Sequence, residues 1–140
     1  MTISRSSHET PGDAGGLRLV LPWPPSVNRI WRAFGGRIIL AAISRKFYRD
    51  AAAALPKGCI GPPLAGPVLV WIELHPPASM GRRRWDLANR EKLLCDALTK
   101  QRVWHDDSQI DAIVLVRRPS VDKRGQAVVT IQTLPGGCPL

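Results

Sequence analysis

Proline decides what this chain can become. Breaks at Pro22 to Pro25, at Pro56 and at Pro76-Pro77 cut it into short pieces, because proline lacks the N–H that a helix interior or a central strand needs. Between the breaks the patterns are readable. Leu17, Leu19 and Leu21 alternate with Arg18 and Val20, which predicts a strand that Pro22 stops. Ile30–Ala33 and Arg37–Leu40 flank Gly35-Gly36 as a hairpin. Ser44 is placed to cap a helix over Arg45–Leu55, ended by Pro56 and Gly58. Pro67–Leu74 is a β-branched, Trp-containing strand, and a helical pattern runs from Asp86 to about Lys100. Ile110–Arg117 and Ala127–Leu134 are both apolar and β-branched, and are expected to pair across the polar turn Ser120–Gly125. The order strand, hairpin, helix, strand, helix, strand, strand predicts one small α+β domain over residues 17–135, a mixed sheet with two main helices. Residues 1–16, rich in Ser, Gly and Thr, are expected to be a disordered tail, and 136–140 a second tail.

Charge narrows the partners. The 140 residues carry 20 Lys and Arg against 11 Asp and Glu, a net charge of +9, and 15 of the 20 cations are Arg. Arg grips phosphate as a planar two-pronged fork, so this bias suits a nucleic-acid partner better than solubility alone. Other classes are excluded. No apolar run approaches the ~18 residues a membrane span needs, and the first sixteen residues hold no apolar stretch, so they are not a signal peptide. Cys59, Cys95 and Cys138 are odd in number and form no Cys-x-x-Cys pair, against a disulfide framework or a zinc site. Neither a Gly-rich phosphate loop nor a Ser/His/Asp or Cys/His arrangement is present, so no nucleotide cofactor is expected. His8, His75 and His105 sit at no ligand spacing and are read as structural or exposed. A reduced, cytoplasmic location follows from the cysteines.

Aspartate placement carries the chemistry. Five of the eight Asp fall between positions 86 and 111: Asp86, Asp96, Asp106, Asp107 and Asp111. Carboxylates repel phosphate, yet here they follow Arg82-Arg83-Arg84. That juxtaposition becomes favourable when Mg²⁺ sits between carboxylate and phosphate, the charge pattern of a metal-dependent nuclease; surface ion pairs and helix caps are the alternative. On a regular helix Asp86, Asn89, Leu93, Asp96 and Lys100 share one face, and Asp86 at its start could equally be a cap. In an extended stretch neighbouring side chains point apart, so only one of Asp106 and Asp107 can face a metal shared with Asp86. The other is left to support a backbone N–H, an Arg or the first carboxylate. Asn89 is a neutral ligand, a partner of Asp86 or a surface residue. Lys92 either steadies charge on a phosphate or pairs with Asp96 at i+4.

These residues resemble a family. Arg84-Trp85-Asp86-Leu87-Ala88-Asn89-Arg90-Glu91-Lys92, continuing through Asp96 to Val103-Trp104-His105-Asp106-Asp107-Ser108-Gln109-Ile110, is similar to the RusA Holliday junction resolvases. Leu21-Pro22-Trp23-Pro24-Pro25-Ser26-Val27-Asn28-Arg29 is similar to that family's opening segment, and the two blocks together span about Leu19 to Leu134. The resemblance implies a homodimeric, Mg²⁺-dependent endodeoxyribonuclease, with Mn²⁺ as a substitute. It would bind four-way junctions and resolve them by symmetric paired nicks during DNA recombination and repair, in a bacterial or phage-infected cell. It places catalytic roles on Asp86, Asn89, Lys92 and Asp107, metal binding on Asp86 and Asp107 with Asp106 beside them, and a further family aspartate on Asp96.

One position departs from the family pattern. The motif reads Asp-x-Asp-Asn, and Ala88 stands where the second aspartate would be, a variant found among phage-type relatives. Because two carboxylates in an extended Asp-x-Asp point the same way, its loss implies weaker metal binding, or one ion where relatives hold two. Glu91 replaces it poorly on a regular helix, being about 140° around the axis from Asp86. A non-catalytic binder of branched DNA, of phage origin, is the alternative; an RNA-binding domain lacks its signatures here. Phosphate contacts are expected from Arg29, Arg32 and Arg37 on the hairpin, Arg45, Lys46 and Arg49 on the first helix, and Arg82, Arg83 and Arg84 before the acidic segment. Trp85 is either a wedge against unstacked bases or an anchor for the helix start.

Overall fold

The computed structural model describes residues 16–26, 31–34, 37–40, 42–55, 61–80 and 83–135. Apart from Gly16, the two expected tails lie outside these residues. The described elements are β1 (Leu17–Pro22), β2 (Trp31–Phe34), β3 (Arg37–Leu40), α1 (Ala42–Ala54), β4 (Val68–His75), α2 (Glu91–Lys100), β5 (Ile110–Arg117) and β6 (Gln126–Thr133). β2 and β3 pair antiparallel as a separate ribbon, as the Gly35-Gly36 signal predicts. The other four strands make one mixed sheet in the order β1-β6-β4-β5. The α+β expectation holds.

Period-two burial builds the sheet. On β4, Val68, Val70, Ile72 and Leu74 are all fully buried, while the residues between them are half-buried. Leu19 and Leu21 of β1 meet Val129 and Ala127 of β6 in register and bury with them, leaving Arg18 and Val20 exposed. Two helices cover this face. α1 presents Ser44, Phe47 and Ala51, an i, i+3, i+7 stripe. α2 presents Leu93, Leu94, Ala97 and Leu98, and Val103 and Trp104 close the core behind it. The Trp104 indole is buried without cost to its polar tip, because Nε1 donates to Thr99 Oγ1 at 2.7 Å. β4 and β5 run parallel, which requires a crossover, and α2 lies in that connection.

Three expectations are corrected. Ser44 is not a cap: Ala42 and Ile43 are already helical, and the small Ser44 side chain is buried on the stripe facing the core. The second helix does not begin at Asp86. Its carboxylate Oδ1 accepts the N–H of Ala88 at 3.1 Å, a local bond that competes with helix, and a 3-10 turn over Ala88–Arg90 precedes α2. Leu93 consequently faces the core and does not share a solvent face with Asp86. Finally, β5 and β6 do not pair with each other; β4 lies between them, parallel to one and antiparallel to the other.

The reason for the last correction is in the connection. Residues 118–125 are too many for a tight hairpin and cross the end of β4, where the Arg118 N–H donates to the Leu74 carbonyl at 2.9 Å. Asp122 shapes the crossing: Oδ1 accepts the N–H groups of Arg124 (3.0 Å) and Gly125 (2.7 Å), and its carbonyl accepts that of Ala78 (3.0 Å). Gly125 has φ +77°, and a Cβ there would come within 2.7 Å of Pro77, so only glycine lets the loop lie against that proline.

Candidate active site

Asp106 and Asp107 open a 3-10 turn over Asp107–Gln109, directly before β5. Asp106 is the cap: its Oδ2 accepts the Ser108 N–H at 3.0 Å, while the Gln109 side chain reaches back to the Asp106 N–H at 2.9 Å, completing a capping box. The hydrogen bonds from Ser108 hold the Asp106 carboxyl below its ordinary range. The two neighbouring carboxylates are thus divided. Asp106 serves the backbone, and Asp107 lines a groove of ≈ 420 Å³ between α2 and the start of β5.

That groove brings Lys92 to Asp107, with Glu91 and Asp111 on its walls and Cys95 in its lining. Lys92 Nζ lies 3.2 Å from Asp96 Oδ1. This hydrogen bond, and after it the carboxylates of Asp96 and Asp107, raise the Lys92 pKa above its ordinary value, so the side chain is a fixed cation. Burial, reinforced by the Glu91 carboxylate, raises the Cys95 thiol above its ordinary range. Among the described residues no three His, Cys, Asp or Glu side chains converge into a metal cage. Mg²⁺ asks for only one or two carboxylates, completing its shell with water and phosphate oxygens, and the carboxylates of this groove fit that demand.

Asp86 is exposed and is not among the described residues lining the groove. Its place is set by Trp85. The Trp85 ring meets Trp23 edge to face at 5.2 Å, the Arg117 guanidinium lies 4.4 Å over it, and Arg90 lies 5.1 Å over Trp23. Arg90 also donates to the Pro24 carbonyl at 2.8 Å. This stack of two cations and two rings packs on the core and makes Trp85 an anchor. It joins the proline-rich segment, the end of β5 and the approach to α2. Asn89 is half-buried on the 3-10 turn, and no hydrogen bond among the described residues joins it to Asp86.

The basic residues fall into two groups. Arg45, Lys46 and Arg49 are exposed on α1, with Lys46 held by Asp50 at 2.6 Å, and Arg83 and Arg84 are exposed before Asp86. Arg29 and Arg82 lie outside the described residues, as do the side chains of Arg32 on β2 and Arg37 on β3. Lys46 and Arg83 line a second, larger groove of ≈ 990 Å³ between α1 and the β1–β6 end of the sheet. Arg90 and Arg124 line it too, although neither stands out in the sequence as a phosphate contact. Arg117 and Gln109 are likewise placed by tertiary structure, while Glu91 and Asp111, both named from the sequence, are brought to the lining of the smaller groove.

Comparison with known proteins points to one family. The family model described as endodeoxyribonuclease RusA matches residues 22–132. The chain is 44% identical over 116 residues to the crossover junction endodeoxyribonuclease rusA of Enterobacteria phage 82, covering 81% of this chain and 91% of that protein. It is 39% identical over 113 residues to the crossover junction endodeoxyribonuclease RusA of Escherichia coli (strain K12), with the same coverage of each. The protein of that name from Shigella sonnei (strain Ss046) is 38% identical over 113 residues, again 81% of this chain and 91% of the relative.

Proposed function

The chain belongs to the RusA endodeoxyribonuclease family, and from that membership we propose that it is a Holliday junction resolvase that hydrolyses phosphodiesters with a divalent metal. One observation carries the assignment of its centre: a fixed cation, Lys92, and an exposed carboxylate, Asp107, share one groove in a chain of net charge +9. Asp107, on the groove, would hold Mg²⁺, or Mn²⁺ in its place, with Asp86 as a second carboxylate brought in from outside the groove's described lining, while Asp106 stays on the cap. The ion, when bound, supplies positive charge to a non-bridging phosphate oxygen and lowers the pKa of a bound water. The chain's own residues do the rest. Lys92, held protonated, cannot be the base and instead offsets charge on the crowded phosphorus. Asn89, half-buried on the turn between Asp86 and α2, would offer a neutral ligand on that side of the site.

Binding of the branched DNA falls to Lys46, Arg83, Arg90 and Arg124 on the larger groove, with the other cations of α1 and the segment before Asp86. These contact phosphates and not bases, so affinity falls steeply as salt rises. A homodimer would match the near-twofold symmetry of an open junction and set two centres on opposing strands, giving paired nicks with 5′-phosphate and 3′-hydroxyl ends. No described helix is long and apolar enough to cross a membrane, and a cytoplasmic place in phage or prophage recombination suits the relatives.

The experiment is cleavage of a labelled synthetic four-way junction in Mg²⁺, Mn²⁺ or EDTA. Nicks with either metal, and binding without nicks in EDTA, are expected. Tight junction binding with no nick under either metal would favour the non-catalytic binder, with Ala88 as the first residue to restore to Asp.

A further inference from the structure

We propose that Gln109 is the positioning residue for Asp107, a clamp whose neutral amide sets the affinity of the groove for a divalent ion. Its Oε1 accepts the N–H groups of His105 at 2.7 Å and Asp106 at 2.9 Å. Its Nε2 donates to the carbonyls of Leu64 at 2.9 Å and Gly66 at 2.8 Å. Both acceptor positions and both donor hydrogens of the amide are used. The orientation is unambiguous, since the flipped amide would set NH₂ against two N–H donors and oxygen against two carbonyls. Glu fails for the same reason: a carboxylate cannot donate to Leu64 and Gly66.

The bonds bracket Asp107. On one side Gln109 holds the two residues before it; on the other it fastens the turn to a loop 43 to 45 positions away in sequence. Asp107 and its neighbours are exposed and have little apolar packing of their own, so the clamp is what keeps this carboxylate beside Lys92. Partners that orient a metal ligand change metal affinity or activity by about 10–100-fold when removed.

This inference rests on the reading of Asp107 as a metal ligand, and the test separates the two. Gln109→Met keeps the length and neutrality of the side chain and removes all four bonds, and Gln109→Ala is the second variant should Met misfold. Mn²⁺ binding without DNA is read from the spin-resonance signal of free Mn²⁺, and the Mg²⁺ midpoint from junction cleavage. Ile72→Val, fully buried in β4, serves as a destabilised control. Both Gln109 variants are expected to weaken Mn²⁺ binding and raise the Mg²⁺ midpoint by about 10–100-fold, with the rate at saturating metal nearly preserved. Ile72→Val lowers the melting temperature and moves neither. Gln109 variants that bind Mn²⁺ as wild type does would overturn the clamp alone. A wild-type protein that binds no Mn²⁺ would overturn the metal reading and the clamp with it.

Discussion

Asp107→Asn is expected to lower junction cleavage by about a thousandfold while junction binding in EDTA is unchanged or slightly tighter. A metal that polarises phosphate contributes several kcal/mol to the transition state, and each 1.36 kcal/mol is about tenfold in rate. The substitution keeps the shape of the side chain and removes the charge that attracts the ion. It does not disturb the turn, because Asp106 is the cap and Asp107 contributes its carbonyl, which the Ile110 N–H binds and Asn retains. Losing an anionic group also raises an already positive net charge, so phosphate contacts persist. Cleavage and gel-shift titrations on one junction read both effects. A variant that cuts at the wild-type rate would remove Asp107 from the machinery.

Lys92→Met should reduce the rate at saturating Mg²⁺ by about 10²–10³-fold, the usual cost of deleting one group aimed at developing charge. Stability should hardly move. The Lys92–Asp96 pair is exposed and spaced i,i+4, a class that contributes about 0.3–0.5 kcal/mol. The two readings of Lys92 therefore separate on cleavage alone: both predict a marginally lower melting temperature, but a surface ion pair predicts normal cleavage and a group acting on phosphate predicts slowed cleavage. Because Asp96 holds the ammonium protonated, the loss should be similar across neutral pH, whereas a general base would leave a pH-dependent residue of activity. Single-turnover rates at two pH values distinguish them.

Much of this fold is written in local pattern. Leu17, Leu19 and Leu21, and the alternation through β4, specify strands whose period matches their burial. Strand neighbours are another matter. Nothing local in Ile110–Arg117 says that its partner is β4 and not β6; the choice is made by the α2 crossover and by the loop that Asp122 and Gly125 fold over Pro77. The start of α2 is misjudged for a related reason, since the Asp86–Ala88 bond and the grip of Arg90 on Pro24 and Trp23 are not visible in the helical periodicity.

The candidate site shows the same division. Alternation along an extended stretch expects only one of Asp106 and Asp107 to face a shared ion; the pair instead opens a 3-10 turn, and it is the capping box that puts Asp106 on the backbone. The spacing Asp106-x-x-Gln109 is itself the sequence signature of that box, so one half of the Gln109 clamp was legible. Its other half, Leu64 and Gly66, is a long-range contact that no local pattern carries. The Trp23–Trp85 pair is hidden likewise, as its two rings stand 62 positions apart.

Resolvase activity is tested most directly by mapping nicks on a four-way junction labelled on each strand in turn, with Mg²⁺, beside a linear duplex of the same sequence. The expected result is nicks at symmetric positions on two opposing strands, with ends that a ligase reseals, and an intact duplex. Equal cutting of the duplex, or a junction that is bound and left whole in both Mg²⁺ and Mn²⁺, would contradict it.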